Sequence, residues 1–187
     1  MKKIILASQS PRRKELLEKC GYPFLIDVAD IDETINTEND LKEEIRLLSI
    51  RKAKEVLKRH EDAIVIGSDT IVVVDKEILG KPHSEEEAKE MLRKLSNHTH
   101  EVITGIAILS NKREYSNTST SYVTFEELSE EEIDKYVETK EPMDKAGAYA
   151  IQGIASRYIK NINGDYYSIM GFPVSMVYEE LKNIDLY

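Results

Sequence analysis

Ile4-Ile5-Leu6-Ala7-Ser8-Gln9-Ser10-Pro11-Arg12-Arg13 holds the start of the fold in one short stretch. The aliphatic run over residues 3–7 predicts a short buried strand, and the polar residues break it. Ser10 is a good helix N-cap and Pro11 suits the first helical position. The helix predicted over Arg12–Lys19 turns Leu16 and Leu17 inward, and Gly21 is a good stop. The opening is therefore strand, tight polar turn, helix. A signal peptide would begin with the same basic Met1-Lys2-Lys3, but its apolar region needs about 7–15 residues and Ile4–Ala7 is far shorter.

Working outward, a strand is expected over Phe24–Val28, followed by the acidic loop Asp30-Ile31-Asp32-Glu33. Residues 40–60 carry Leu41, Ile45, Leu48, Ala53, Val56 and Leu57 near helical spacing. Ala63–Gly67 reads as an apolar strand, interrupted by Ser68-Asp69-Thr70 and resumed over Ile71–Val74, with a turn at Asp75-Lys76. Ser84 caps a helix to Leu95 and Ser129 a helix to Lys140. Their first turns hold Glu85–Glu87 and Glu130–Glu132, where the helix dipole favours acids. Strands are expected at Glu101–Leu109 and Glu114–Glu126. A Gly-containing loop spans Lys145–Gly153, a strand Tyr158–Ile162 ends at Asn163-Gly164, and Pro173 opens the last helix. Helices alternate with strands in the first half and strands pair in the second. That predicts an α/β fold with a mixed β-sheet, as a single domain over residues 1–187 with room for two lobes.

The chain has 187 residues, 41% of them hydrophobic, enough for a sizeable core. Its net charge of −9 makes it a poor general binder of nucleic acid. A small anionic ligand at a local basic site suits it better. Cys20 is the single cysteine, so no internal disulfide forms, which fits a reducing cytoplasm. No apolar run approaches the roughly 20 residues of a membrane helix. The histidines His60, His83, His98 and His100 form no zinc motif. Neither a P-loop nor a Gly-x-Ser-x-Gly elbow is present.

The candidate chemistry lies in several places. Ser8-Gln9-Ser10-Pro11-Arg12-Arg13 combines free helix N–H groups, hydroxyls and guanidinium forks, an anion site or a solvated basic turn. Arginines at a helix start oppose the dipole, so they ask for a reason. Asp69 stands where a buried strand meets polar neighbours, either at a ligand or capping a turn. Lys81, between Gly80 and Pro82, sits on a stiff loop. Asp32-Glu33 can hold a divalent cation completed by substrate phosphates, or be solvated acids. In Asp144–Gly153, small residues admit a ligand and Gln152 offers a donor and an acceptor to a base edge. Cys20, at a helix end beside Gly21, reads as structural.

Together these pieces resemble the Maf family of nucleoside triphosphate pyrophosphatases nearly end to end. The resemblance is carried by Leu6-Ala7-Ser8-Gln9-Ser10-Pro11-Arg12-Arg13, Asp32-Glu33, Lys52-Ala53, Ser68-Asp69-Thr70, Leu79-Gly80-Lys81-Pro82 and Val102-Ile103-Thr104-Gly105. It continues in Asp144–Tyr149, Gln152-Gly153, Gly164-Asp165-Tyr166 and Gly171-Phe172-Pro173. It implies an elongated mixed sheet flanked by helices with an active-site cleft, similar to the inosine triphosphate pyrophosphatases. It also implies cleavage of a nucleoside triphosphate between its α and β phosphates, with magnesium or manganese as the divalent cofactor. Asp69 matches the proton acceptor. Ser8, Arg13, Lys52 and Lys81 match phosphate positions, and Glu33 with Asp69 the metal positions. Arg12, Thr70 and Gln152 match the specificity positions of the branch acting on dTTP and UTP; the 7-methyl-GTP branch has Trp, Gln and Glu there. Gln9, Ala150, Ile169, Met170 and Phe172 depart from the usual pattern, and none is a charged or specificity residue. The resemblance implies a housecleaning enzyme for which a homodimer is a possible state, and the lone cysteine makes the cytoplasm the expected compartment. The alternative from another class is a non-enzymatic nucleotide-binding regulator of septum formation.

Overall fold

The structure is a computed structural model that describes residues 2–184. Met1 and residues 185–187, the ends of the single domain expected over 1–187, lie outside the described residues. The first strand, β1 (Ile4–Leu6), is fully buried and leads through the polar turn into helix α1 (Pro11–Glu18). Ser10 caps α1, its hydroxyl accepting from the Arg13 N–H at 3.5 Å, and Gly21 ends the turn at φ +78°. Leu16 and Leu17 are buried, as their spacing predicts. Next come β2 (Phe24–Ile26) and the long helix α2 (Leu41–Leu57), capped by Asp40.

Strand β3 (Ile64–Val74) runs without a break. Ser68-Asp69-Thr70 therefore does not interrupt it, contrary to the sequence expectation. Ser68 is fully buried because its hydroxyl finds the carbonyls of Gly105 at 2.9 Å and Gly171 at 3.0 Å, so a polar residue costs the strand little. A hairpin with positive φ at Asp75 and Lys76 leads to β4 (Glu77–Leu79), a three-residue strand the sequence reading does not include. Helix α3 (Glu85–Leu95) follows, then β5 (Thr99–Ser110), β6 (Arg113–Phe125) and α4 (Glu130–Glu138). Three 3-10 turns precede β7 (Ile159–Asn163). The short helix α5 (Tyr166–Ile169), also unforeseen, is capped by Asp165, and α6 (Val174–Lys182) ends the described chain.

The strands form one mixed sheet in the order β2-β1-β3-β5-β6-β7, with β4 on β3. β1 is parallel to both neighbours, Ile5 standing opposite Leu25 and Val65. β4 is antiparallel to β3, and β7 to β6. This is the α/β mixed sheet that the alternation predicts, with the flanking helices that the resemblance implies.

The chain divides into two compact units. The first comprises the residues up to Asp69, Thr104–Ser119 and those from Gly171 on. Ile5, Ile50, Ala53, Val56, Val65 and Leu109 are among its core residues. The second comprises Thr70–Ile103 and Thr120–Met170, with a core that includes Leu92, Leu95, Phe125, Tyr136, Tyr149 and Tyr158.

Candidate functional site

In the first unit, three elements and two loops bring five candidate residues into one chain of contacts. Ser8 follows β1 and is buried, its hydroxyl accepting from the Ser10 N–H at 3.1 Å. Arg13, on the first turn of α1, aims its guanidinium the same way. Nη1 donates to Ser8 Oγ at 3.4 Å and Nε to the Gly171 carbonyl at 3.0 Å. Nη2 lies 3.7 Å from Asp69 Oδ1. This is the reason the sequence asks for: the arginine at the helix start is tied to a carboxylate on β3 and a carbonyl before α6. Burial pulls the Arg13 pKa below its ordinary value, and Asp69 pulls it back.

Lys52 is buried on α2 and donates to Asp69 Oδ2 in a short hydrogen bond. The same ammonium is 2.9 Å from Glu33 Oε1. One cation thus joins two carboxylates that lie far apart in sequence. Paired charges offset the desolvation that an isolated buried lysine would suffer.

The two acids of Asp32-Glu33 have different places. Asp32 accepts from the Thr34 N–H at 2.9 Å and the Thr34 hydroxyl at 2.6 Å, shaping the loop. Glu33, more than half exposed, reaches Lys52. Arg51 holds this loop from α2, donating to the carbonyls of Asp32 at 3.3 Å and Thr34 at 3.0 Å. Sequence reasoning passes over Arg51, and it names Ser68 and Gly171 without finding what they bond. Their partners lie 17 to 158 positions away, and no local pattern marks them. Arg12 is half-buried and enters no hydrogen bond or ion pair among the described residues.

Thr70, Lys81 and Gln152 belong to the second unit. Thr70 is half-buried on β3. Lys81 is exposed just after β4, where the Gly80 carbonyl accepts from the Gly147 N–H at 3.0 Å. Gly147 must be glycine: its φ is +69°, and a Cβ there would lie 2.9 Å from Val72 Cγ1. Gln152 is exposed at the turn that precedes the last 3-10 segment.

Other nucleophile and metal readings find no support. Burial pushes the Cys20 thiol up to about 11, so it is not a thiolate at neutral pH. No group of three or more His, Cys, Asp or Glu among the described residues could hold a metal ion unaided. Magnesium usually takes one or two protein carboxylates and completes its shell with water and substrate phosphates. Glu33 and Asp69, already within reach of one ammonium nitrogen, fit that donor set.

The model of a family described as Maf-like protein matches residues 3–184. A Bacillus cereus (strain G9842) protein named dTTP/UTP pyrophosphatase is 52% identical over all of this chain and 97% of its own length. A Bacillus cytotoxicus relative of the same name is 50% identical over 99% of this chain and 97% of its own length. A third, from Bacillus thuringiensis subsp. konkukian, is 52% identical over 100% and 98%.

Proposed function

The chain belongs to the family of Maf-like proteins, and from that membership we propose that it is a nucleoside triphosphate pyrophosphatase acting on dTTP and UTP. It releases the monophosphate and pyrophosphate, and so removes these or modified pyrimidine triphosphates from the nucleotide pool. The observation that carries the reading is the run Arg13–Asp69–Lys52–Glu33, in which two cations and two carboxylates alternate. The reading as a non-enzymatic regulator is not favoured, since relatives matched over 97% of their length bear an enzyme's name.

A triphosphate brings several negative charges, and its hydrolysis concentrates more on the departing phosphate. Catalysis is then mostly positioning and charge stabilisation. Ser8, Arg13, Lys52 and Lys81 are the groups assigned to the phosphate oxygens. Arg13 is suited by its planar fork, which Ser8 and Gly171 keep from turning. Asp69 is assigned as the base. Its carboxylate takes a proton from the attacking water, whose oxygen bonds to the α-phosphorus as the anhydride P–O bond between the α and β phosphates breaks, and the departing pyrophosphate keeps the electron pair. A divalent cation, magnesium or manganese, held by Glu33 and Asp69 would neutralise charge on the phosphates. Arg12, Thr70 and Gln152 are assigned to base selection, Gln152 offering a donor and an acceptor to a uracil-type edge. No helix among the described residues is long and apolar enough to cross a membrane, and a lone buried Cys20 suits the cytoplasm.

The test is pyrophosphate release from dTTP, UTP, CTP, GTP and 7-methyl-GTP, with and without metal, for the native chain and Asp69→Asn. Metal-dependent release from dTTP and UTP is expected, with kcat about 100-fold or more lower in the variant, the usual contribution of a general base. Full turnover in Asp69→Asn would remove Asp69 as the base. Release mainly from 7-methyl-GTP would overturn the roles of Arg12, Thr70 and Gln152.

A further inference from the structure

Gln152 is exposed, yet the backbone on either side of it is held by one partly buried network. On one side, the Ala150 N–H donates to the Tyr136 hydroxyl at 3.3 Å, and that hydroxyl donates to Glu141 Oε1 at 2.8 Å. On the other, Ile154 N–H donates to Glu141 Oε2 at 3.0 Å and Ala155 N–H to Oε1 at 3.4 Å. The turn itself closes by Gly153 N–H to the Ala150 carbonyl at 3.0 Å. The turn packs closely on this carboxylate, since a Cβ on Gly153 would lie 2.5 Å from Glu141 Cδ. Tyr136 is fully buried and edge-on to Tyr158, with ring centroids 5.8 Å apart. The network therefore has a rigid anchor.

Glu141 makes no ion pair among the described residues. Its acceptors go to one hydroxyl and two backbone N–H groups, so a charged side chain is placed to hold a turn rather than to pair with a cation. That is a strong arrangement, since an ionised acceptor roughly doubles a hydrogen bond's strength. A glutamine amide can show its donor and acceptor to a base only if its backbone stands still. A loose turn would let it rotate to suit any edge.

We propose that Glu141 is a positioning residue for pyrimidine selection: with the Tyr136 hydroxyl it fixes the turn that presents Gln152 to the substrate's base. The inference rests on the reading of Gln152 as a base-selecting residue. Glu141 itself does not touch substrate. Its effect is on the discrimination between bases and on KM, and it leaves the metal requirement unchanged.

The experiment compares kcat/KM for UTP and GTP in the native chain, Gln152→Ala, Glu141→Gln and the double variant. Gln152→Ala is expected to lower the UTP/GTP ratio about fivefold, the worth of one positioned hydrogen bond. Glu141→Gln turns an amide N–H toward backbone N–H groups, and should lower the same ratio by a similar factor, chiefly through KM. In the double variant the second change should alter the ratio less than twofold, because both act through one side chain. A general structural defect would instead reduce UTP and GTP turnover alike. That result, or an unchanged ratio in Glu141→Gln while Gln152→Ala shifts it, overturns the inference. An unchanged ratio in Gln152→Ala overturns the reading of Gln152, and the inference with it. Tyr136→Phe, which keeps the ring and removes the hydroxyl link, carries the same ratio test if Glu141→Gln does not fold.

Discussion

At the scale of single residues, His100 shows how burial sets a pH limit. Its Nε2 lies 2.8 Å from the Tyr149 hydroxyl, its Nδ1 has no partner, and Phe125 and Tyr149 stand edge-on to its ring. Burial pulls its pKa from the ordinary 6.5 down to about 4. Unfolded, the imidazole takes a proton below about 6.5; folded, it refuses one until about 4. The unfolded state therefore binds more protons in that window. The histidine's contribution is complete above about 6.5 and falls away toward 4, by about 3 kcal/mol in all. Melting temperature should drop across this window, and the part due to His100 should vanish in His100→Phe. That variant should also be less stable at neutral pH, because the buried Tyr149 hydroxyl loses its partner. An identical pH slope in the variant would contradict the account. Among the site residues, Asp69 and Arg13 are legible in the sequence because each breaks a local rule. One is an acid where an aliphatic run meets polar neighbours, and the other a cation at a helix start. The joining of Glu33 to Asp69 through Lys52 is not legible, because it depends on how α2 lies against β3.

At the scale of elements, the closeness of α2 to the sheet places Lys52. Gly67 on β3 and Gly105 on β5 both lie under this helix. A Cβ on Gly67 would run into the Ser49 carbonyl oxygen and stand 3.0 Å from Ala53 N, and one on Gly105 would be 2.5 Å from the Ile45 carbonyl oxygen. Backbone atoms cannot step aside, so the helix would have to lift. Gly67→Ala should cost about 1–3 kcal/mol of stability, the range for overpacking, and lower kcat as Lys52 moves off Asp69. Gly80→Ala meets nothing within 4 Å and serves as the neutral comparison in thermal unfolding and turnover. Gly67→Ala as stable and active as Gly80→Ala would refute the argument. The longer elements were open to sequence reading because their signals are local: Ser84 with Glu85–Glu87 marks α3, and Ser129 with Glu132 completes a capping box on α4. The missed ones carry little local signal, the Asp165 cap of α5 being followed by a single turn. β4 has only three residues and α5 only four, too short for periodicity to register. The continuity of β3 through Ser68 depends on carbonyls of Gly105 and Gly171, which no local pattern reveals.

At the scale of the whole molecule, an acidic chain of net charge −9 concentrates a few cations where an anionic substrate is expected. The described residues offer a metal two carboxylates rather than a closed cage. Under the proposed reading the metal belongs to the reaction and not to the fold. This balance, with family membership and the Arg13–Asp69–Lys52–Glu33 run, defines the central claim: metal-dependent cleavage of pyrimidine triphosphates between the α and β phosphates. The most direct test follows dTTP turnover by phosphorus NMR with magnesium or manganese, then after chelation, while monitoring melting temperature. Thymidine monophosphate and pyrophosphate are expected in equal amounts, with turnover stopped by the chelator and a melting temperature that does not move. Thymidine diphosphate with inorganic phosphate, or turnover that continues after chelation, would contradict the central claim.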